Sequence, residues 1–256
     1  MGEAHGVVTE RRKWTGTALP RYRTAGGALV SVEAPGFDLS QPWFSEFRLR
    51  AERPYVQGPS GPLHRAFQVG PLGTMANHAH HVIKGQFTDV LSFSGGSLLV
   101  ARSDVDGRGL AGWQGRWHEV YLFQNSSGWS VSDVLRQFQG LEISDEPMGA
   151  SVKSVGIPPE TMYGERVHKQ VPGVGVISIV SGADGVTLLP SWAGARTPSG
   201  GEVWRKHVRA DETGRTVLMH ASRSAITAVY AEPGEKETET PRLAFLDAVV
   251  DVQWNG

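Results

Sequence analysis

The chain has no cysteine among its 256 residues, and this absence removes several chemistries. Disulfides, thiolate zinc sites, iron–sulfur clusters and cysteine nucleophiles all require the thiol group. An excess of charge is also missing, because 25 Lys and Arg oppose 26 Asp and Glu and leave a formal net charge of -1. Proteins that bind nucleic acid through its phosphates usually carry a basic excess or a basic face. The charge balance therefore argues against nucleic acid as a partner.

Long apolar runs are absent as well. No stretch is long enough to cross a bilayer, and residues 1–14 contain no apolar segment of the kind found in signal peptides. We therefore expect a cytoplasmic protein with no membrane partner. Residues 11–14 (RRKW) and 21–23 (RYR) interleave cations with aromatic rings, as single-strand binders do. A solvated N-terminal arm is the simpler interpretation.

Glycine and proline, in contrast, are abundant, with 32 Gly and 15 Pro. They concentrate in the stretch 53–73, where neither a helix nor an inner strand is expected. We interpret that stretch as a loop or linker. The predicted organisation is an N-terminal segment at 1–52, which can belong to the same domain, the linker at 53–73, and a main β-rich domain at 74–256.

Most of the remaining chain has the patterns of short strands. Residues 90–93 and 97–101 flank Gly95-Gly96, and residues 117–123 are rich in aromatic and β-branched side chains. Turn signals at 182–185 and 211–214 predict two further hairpins. Short strands at roughly ten-residue spacing predict an α+β fold of mainly antiparallel β-sheet, arranged as a sandwich or barrel.

One or two short helices are expected in that fold. Ser130 can cap a helix with Asp133 as its capping-box partner, and Val131, Val134 and Phe138 fall on one apolar face. Gly140 should end this helix. The residues after Pro241 can form a second helix that leads into a final strand, because proline is tolerated at a helix start.

The densest group of chemically capable side chains is Asn77-His78-Ala79-His80-His81. In an extended backbone, His78 and His80 would project from the same face of a strand, where they could share a metal ion. His118, at the start of the strand at 117–123, is the natural third ligand. Imidazole suits zinc, iron, nickel and copper. We expect no cofactor from the rest of the sequence. If these histidines do bind one, it should be a divalent transition metal.

This spacing resembles, in part, the two motifs of the cupin superfamily. In that family a His-x-His pair and a Glu lie on one strand, and a Gly-x-x-His follows some tens of residues later. His78 and His80 match the pair, residues 115–118 (GRWH) match the second motif, and Gly107 stands at the family's earlier Gly. The resemblance covers residues 73–122 and implies a metal-dependent enzyme on a β-barrel.

Three positions depart from the cupin pattern. Lys84 stands where the family has its Glu ligand, and Trp113 and Leu122 replace a Pro and an Asn of the second motif. A lysine would repel a metal cation rather than bind it. The alternative is that His78, His80 and His118 are surface or hydrogen-bonded structural histidines.

The tryptophans offer a different kind of site. Trp113 and Trp117 lie near His118, and Trp192 lies in the Gly/Pro-rich sequence PSWAGARTPSGG. Tryptophan beside such loops often anchors protein interfaces or stacks on sugar rings. Packing in a β-rich core is the alternative for each of them.

Two classes of function remain open, and the sequence leaves uncertain whether the chain is an enzyme. The first is a soluble, non-catalytic module that binds a protein partner or assembles with itself through loop tryptophans and Gly/Pro-rich surfaces. The second is a metal-dependent, cupin-like enzyme with ligands His78, His80 and His118. The absence of a Walker loop, a Gly-x-Ser-x-Gly elbow and a His-Glu-x-x-His motif favours the first class.

Overall fold

The structure, a computed structural model, describes residues 21–51, 57–58, 61–62, 64–125, 128–156, 159–198, 200–207, 216–231 and 239–256. Its helices are α1 Thr74–His81, α2 Val131–Phe138, α3 Gly182–Gly185 and α4 Thr240–Ala248, with a 3-10 turn at Val186–Leu188. Within these described ranges, no helix has the length and apolar character that a bilayer crossing demands.

The strands are short and follow one another closely along the chain. In chain order they are β1 Arg21–Arg23, β2 Leu29–Glu33, β3 Trp43–Ala51, β4 Gln57–Gly58, β5 Gly61–Pro62, β6 His64–Pro71, β7 Gly85–Phe93, β8 Gly96–Ser103, β9 Gly109–Gln114, β10 His118–Gln124, β11 Leu141–Glu146, β12 Gly149–Ser154, β13 Glu160–Val171, β14 Gly175–Ser181, β15 Ala195–Arg196, β16 Glu202–His207, β17 Thr216–Ala221, β18 Ala225–Tyr230 and β19 Asp251–Asn255.

Twelve of these strands form one large sheet. Its order is β15-β16-β17-β18-β14-β13-β3-β6-β10-β9-β8-β7, and the strands β1-β2-β19, β11-β12 and β4-β5 form three small sheets. Every pair of neighbouring strands among the described residues is antiparallel. The predicted α+β class with mainly antiparallel sheet is thus confirmed, and the described residues contain four short helices where one or two were expected.

One face of the large sheet, here called the covered face, is buried along its length. Side chains alternate along each strand, and the pairing register places Val69 on β6, Val167 on β13 and Ile179 on β14 on this same face. The small sheet β1-β2-β19 and helix α4 cover one half, and helix α2 with the β11-β12 hairpin covers the other half.

On the opposite face, here called the open face, the described residues cover only the two ends. Helix α1 packs on one end through Met75 and Ala79, and the segment after α3 packs on the other end around Trp204. Between these ends, Arg166 and Glu46 form an ion pair of 3.0 Å beside half-buried His168. The middle of the open face is therefore polar.

Strand β6 corrects the expectation that no inner strand lies within 53–73. It pairs with β3 on one side and β10 on the other, and it buries Phe67 and Val69 in the core. Gly70 fits there because a Cβ would lie 2.8 Å from Thr74 Oγ1. The many glycines and prolines of 53–73 favour a loop, but Pro71 is the last residue of β6 and does not interrupt the strand. The division at 1–52, 53–73 and 74–256 stays a prediction, and the strands before and after 53–73 share one sheet.

Helix α1 corrects the second expectation, an extended backbone at His78–His81. The amide groups at the start of this helix are bound by the buried carboxylate of Glu119, on β10. Glu119 accepts hydrogen bonds from the backbone N–H of Gly73 at 3.0 Å and of Met75 at 2.7 Å, and from Gln114 Nε2 at 2.9 Å. Glu119 is 44 residues from Met75 in sequence. The residues around the helix start therefore do not show that a carboxylate accepts their N–H groups.

Several local predictions are confirmed. Ser130 and Asp133 form a complete capping box on α2, and Gly140 follows that helix with a φ of 78°. Helix α4 leads into β19 as expected, and the hairpin expected at Gly95-Gly96 forms one residue earlier, with Ser94 and Gly95 in the turn and Phe93 paired with Gly96. These features depend on neighbours in sequence, which is why the sequence shows them.

The hairpin predicted around 182–185 is wrong. Those residues form α3, because the Ser181 hydroxyl accepts a hydrogen bond from Asp184 N–H and starts a helix. Strand β14 pairs instead with β13 and β18. The turn predicted at 211–214 lies outside the described residues, although β16 and β17 on either side of it pair antiparallel.

The buried Glu119 carboxylate gives a first test. Replacing Glu119 with Ala leaves buried N–H groups without an acceptor, and we expect the free energy of unfolding to fall by about 1–3 kcal/mol. Urea denaturation monitored by circular dichroism measures this change. Glu142→Ala, at an exposed position on β11, is the matched control and should change stability little. Equal effects of the two substitutions would contradict the role assigned to Glu119.

Lys169 gives a second test, through pH. Its ammonium group is buried, donates to the Gln41 carbonyl oxygen and lies 4.3 Å from the centre of the Trp43 ring. Burial lowers the pKa of Lys169 from 10.5 to about 8. Above pH 8 the unfolded chain thus holds a proton that the folded chain has released, so stability rises with pH up to about 10.

Urea unfolding at intervals between about pH 7.5 and about pH 9.5 measures this rise. The Lys169→Met variant should show a flatter profile, whereas Lys153→Met, at an exposed position, should keep the wild-type slope. An unchanged slope in Lys169→Met would show that Lys169 is not the titrating group.

Candidate binding sites

The two histidines of the predicted metal pair point in different directions. They lie two residues apart on α1, and that spacing separates side chains by about 200° around a helix. The His78 ring packs against Tyr121 and Phe123, with ring centroids 5.3 and 5.5 Å away. The His80 ring contacts the His81 ring instead, at 4.5 Å. Burial lowers the pKa of His78, which favours a neutral, packed imidazole.

His118 is occupied by a different partner. It is buried, and its Nδ1 lies 2.8 Å from Asp145 Oδ1, while Asp145 Oδ2 accepts the Trp117 backbone N–H at 2.8 Å. Asp145 belongs to β11, so the pair ties the small β11-β12 sheet to the large sheet.

The structure therefore gives no geometric support to the metal site at His78, His80 and His118. In the parts of the chain that the structure describes, no three His, Asp or Glu side chains are grouped so that they could hold a metal ion. The premise of an extended His-x-His pair is wrong because the segment is helical. Metal binding itself stays a prediction.

The three candidate tryptophans differ in exposure. Trp113 is buried in β9, where its Nε1 donates to the Phe93 carbonyl oxygen at 3.0 Å. Trp117 is half-buried, and the Arg116 guanidinium lies 4.7 Å from the centre of its ring. Trp192, in contrast, is 63% exposed. Trp113 therefore packs in the core, as the alternative interpretation has it, whereas the indole of Trp192 is exposed to solvent.

Two further exposed apolar side chains lie in the same chain segment as Trp192. Val186 is 60% exposed and Leu188 is also exposed, and both precede Trp192 in the same segment. We call these three residues the loop patch. Their backbone is held in place, since Trp204 Nε1 donates to the Trp192 carbonyl oxygen at 2.7 Å and Lys206 Nζ donates to the Leu188 carbonyl oxygen at 3.0 Å.

A cleft of about 530 Å³ lies on another part of the molecule, where β16 and β17 approach the connection from α4 to β19. We call it the His220 cleft. Its walls combine one buried imidazole, one guanidinium, two carboxylates and several apolar side chains, namely Gly200, Gly201, Glu202, Trp204, His220, Ala221, Ser222, Arg223, Val249, Val250, Asp251 and Val252.

His220 is the unusual member of this cleft. It is only 2% exposed, yet neither ring nitrogen has a hydrogen-bond partner among the described residues. Burial lowers its pKa, so the ring is neutral near pH 7 and has one N–H donor and one acceptor nitrogen. Leaving both unpaired in a buried site costs free energy, and buried polar groups usually have partners.

The sequence offers only a weak signal for His220. It is a single polar residue in the apolar strand sequence TVLMHA, and such a histidine is commonly a core residue with satisfied hydrogen bonds. The cleft is built by residues from 200–204, 220–223 and 249–252, which are distant in sequence. Only the tertiary fold brings them together.

The metal prediction can be tested directly. Because His78 and His80 diverge and His118 binds Asp145, we expect the His78→Ala/His80→Ala double variant to retain as much zinc as the wild type after equilibration and dialysis. Elemental analysis measures the zinc content per chain. If the double variant contains about one zinc per chain less than the wild type, the predicted metal site would be supported.

Comparison with known proteins adds no relative to this description. No family model, curated protein or solved structure matches the chain. The loop patch and the His220 cleft are therefore the two surfaces on which a function can be argued.

Proposed function

We propose that the chain is a non-catalytic assembly module that associates with a second copy of itself through the loop patch. The observation that carries this proposal is the 63% exposure of Trp192 on a segment whose backbone is fixed. A segment whose backbone is already fixed loses little conformational freedom on binding, and tryptophan is enriched among the residues that dominate interfaces.

The loop segment is anchored on both sides of the exposed indole. The Trp192 carbonyl oxygen accepts from Trp204, and two residues later Gly194 N–H donates to Glu202 Oε2 at 3.1 Å. A Cβ at Gly194 would lie 2.8 Å from the Trp204 ring, so the segment packs closely on β16. The patch is thus presented on a supported surface.

Charge around the loop patch supports a second copy as the partner. Exposed Asp184 lies two residues before Val186 in the chain, and Lys206 donates a hydrogen bond to the Leu188 carbonyl oxygen. A two-fold contact places the same surface against itself, so a patch that carries both signs of charge can form ion pairs with its own copy. The loop patch has this combination.

The two edges of the large sheet are less suited to assembly. Edge strand β7 has a bulge between Phe87 and Asp89, and bulges and edge charges hinder the addition of another strand. At the other edge, β15 pairs with only the first two residues of β16, and exposed Arg205, Lys206 and His207 follow. Pairing this edge with its own copy would bring like charges together.

The arrangement of the histidines supports binding over catalysis. The His118–Asp145 pair is not part of the His220 cleft. Within the described residues, His220 has no carboxylate bonded to its ring, and the nearby Ser222 hydroxyl already bonds the Ala225 and Val252 carbonyl oxygens. A general base is usually oriented by such a carboxylate.

Location in the cytoplasm stays a prediction.

Analytical ultracentrifugation tests the proposal. The weight-average mass of the wild type should rise toward that of a dimer between about 10 µM and about 500 µM protein. Trp192→Ser should weaken association at least about tenfold, because the indole is the largest apolar group in the patch. The exposed position of Trp192 means that the substitution should leave the fold intact.

Val105→Ser is the matched control, since Val105 is 80% exposed in the turn between β8 and β9. It removes a comparable exposed apolar residue elsewhere and should leave association unchanged. A wild type that stays monomeric over the whole range would overturn the proposal. Equal weakening by Val105→Ser would do the same.

A further inference from the structure

We propose that the edge of the large sheet at β15 and β16 is an acid-sensitive element, which closes over His220 when the imidazole is neutral and opens when the imidazole takes up a proton. We call β15 with Thr197, Gly201 and Glu202 the edge hairpin. Its contacts lie within one chain, so the inference goes beyond the assembly function and does not rest on it. The juxtaposition that carries it is a sealed imidazole, with both nitrogens unpaired, beneath the Gly201 backbone at a sheet edge.

The edge hairpin seals the His220 ring from water. His220 lies two residues after Leu218 on β17, so its side chain points to the covered face, as that of Leu218 does. A Cβ at Gly201 would lie 2.3 Å from His220 Nε2 and 2.6 Å from the Ala221 carbonyl oxygen. The glycine backbone therefore lies against the ring. Neither ring nitrogen is accessible to water while the hairpin stays in place.

The closed hairpin accommodates only the neutral form of His220. A neutral imidazole has one N–H donor, whereas the charged form has two, and the described residues offer an acceptor for neither nitrogen. Burying an unpaired charge costs far more free energy than burying an unpaired neutral polar group. Burial accordingly lowers the pKa of His220. Uptake of a proton therefore favours a conformation in which water reaches the ring.

The carboxylates of the His220 cleft do not compensate a charged ring. Glu202 alternates with Val203, the cross-strand partner of His220, so the Glu202 side chain points to the open face. Asp251 alternates in the same way with Val252, which is buried in the core. The carboxylates of Glu202 and Asp251 thus point away from the imidazole.

Other charged groups around His220 do not compensate it either. Strands β17 and β18 contain no Asp, Glu, Lys or Arg. The remaining titratable groups on the described parts of β16, α4 and the adjoining turns are exposed or bonded to other residues, namely Arg205, Lys206, His207, Arg223, Glu239, Arg242 and Asp247. Most of them are cationic and would repel an imidazolium.

The edge hairpin can move as a unit. Strand β15 is the last strand of the large sheet and pairs only with the first two residues of β16. Thr197 N–H donates to the Gly201 carbonyl oxygen at 2.9 Å, and Gly201 N–H donates to Thr197 Oγ1 at 3.0 Å. These bonds hold the hairpin together when it leaves the ring. Local opening is expected at such a sheet edge, because few buried contacts hold it.

Opening also affects the neighbouring segment that carries Trp192. Glu202 Oε2 accepts a hydrogen bond from Gly194 N–H at 3.1 Å, and Gly194 packs on the Trp204 ring. A chain with an open edge hairpin loses this support. Acid therefore loosens the backbone beneath the exposed indole even in a single, unassociated chain.

Hydrogen exchange measured by mass spectrometry tests the proposal on the full chain at about 1 µM, well below the range in which association is expected. Because the open form binds a proton that the closed form lacks, the closed form loses stability as the pH falls below 6.5. Protection of the edge hairpin, corrected for intrinsic exchange rates, should fall about tenfold from about pH 7.5 to about pH 5.5.

The central strand β3 is the internal reference. Its amides should stay better protected than those of the edge hairpin at both pH values, because β3 is paired on both sides. Equal protection of the two at pH 5.5 would show that the hairpin opens only when the whole chain unfolds. That result would overturn the proposal, as would hairpin protection that does not change with pH.

His220→Leu removes the titrating group and keeps an apolar side chain beneath Gly201. Protection of the edge hairpin should then be the same at both pH values, within about twofold. His207→Leu is the matched control, since His207 is exposed at the other end of β16, and it should keep the tenfold fall. A tenfold fall that persists in His220→Leu would overturn the proposal.

Gly201→Ala tests the contact itself and decides the matter if His220→Leu does not fold. A Cβ at position 201 cannot lie 2.3 Å from His220 Nε2, so the hairpin must move off the ring. Protection of the edge hairpin should already be at least about tenfold lower than wild type at about pH 7.5, and it should change less with acid. Wild-type protection in Gly201→Ala would contradict the role of the hairpin as the cover of His220.

Discussion

Strand β3 lies between β6 and β13 in the large sheet. Its backbone hydrogen bonds to β13 join the strands from the first half of the chain to the strands from the second half. A sheet of this width exposes two faces, and each apolar region must be covered by another element. The continuous covered face explains why the small sheets and helices α2 and α4 all pack on the same side. The polar middle of the open face needs no cover, because Glu46 and Arg166 pair there.

Both candidate surfaces arise from this division of the two faces. The loop patch is the outer side of the segment that covers one end of the open face around Trp204. The His220 cleft forms where the cover of the covered face ends, between β17 and the connection to β19. The segment that buries Trp204 exposes its own Trp192 side chain on the outer surface. The small sheet and helix α4 end at 249–252, where the ring nitrogens of His220 have no hydrogen-bond partner among the described residues. Each surface is thus a consequence of how one layer meets the next.

The sequence predicts those parts of the molecule whose signals are local. The capping box at Ser130, the turn at Ser94-Gly95 and the helix after Pro241 depend on residues within a few positions of one another. Helix α1 and strand β6 depend instead on Glu119 and on pairing with β3 and β10, which are distant contacts. The same limit applies to function, because Trp192 can be singled out from its Gly/Pro-rich surroundings, whereas His220 gains its interest only from its unpaired nitrogens.

The pairing of β2 with β19 joins residues that are about 220 positions apart. Closing so long a loop costs entropy, so we expect this pairing to form after the strands that lie between its two partners in sequence. Since Asp251 and Val252 on β19 form part of the His220 cleft, the cleft depends on this long-range pairing. A substitution that weakens the β2–β19 pairing would therefore change the wall of the cleft, even where it lies far from His220 in sequence.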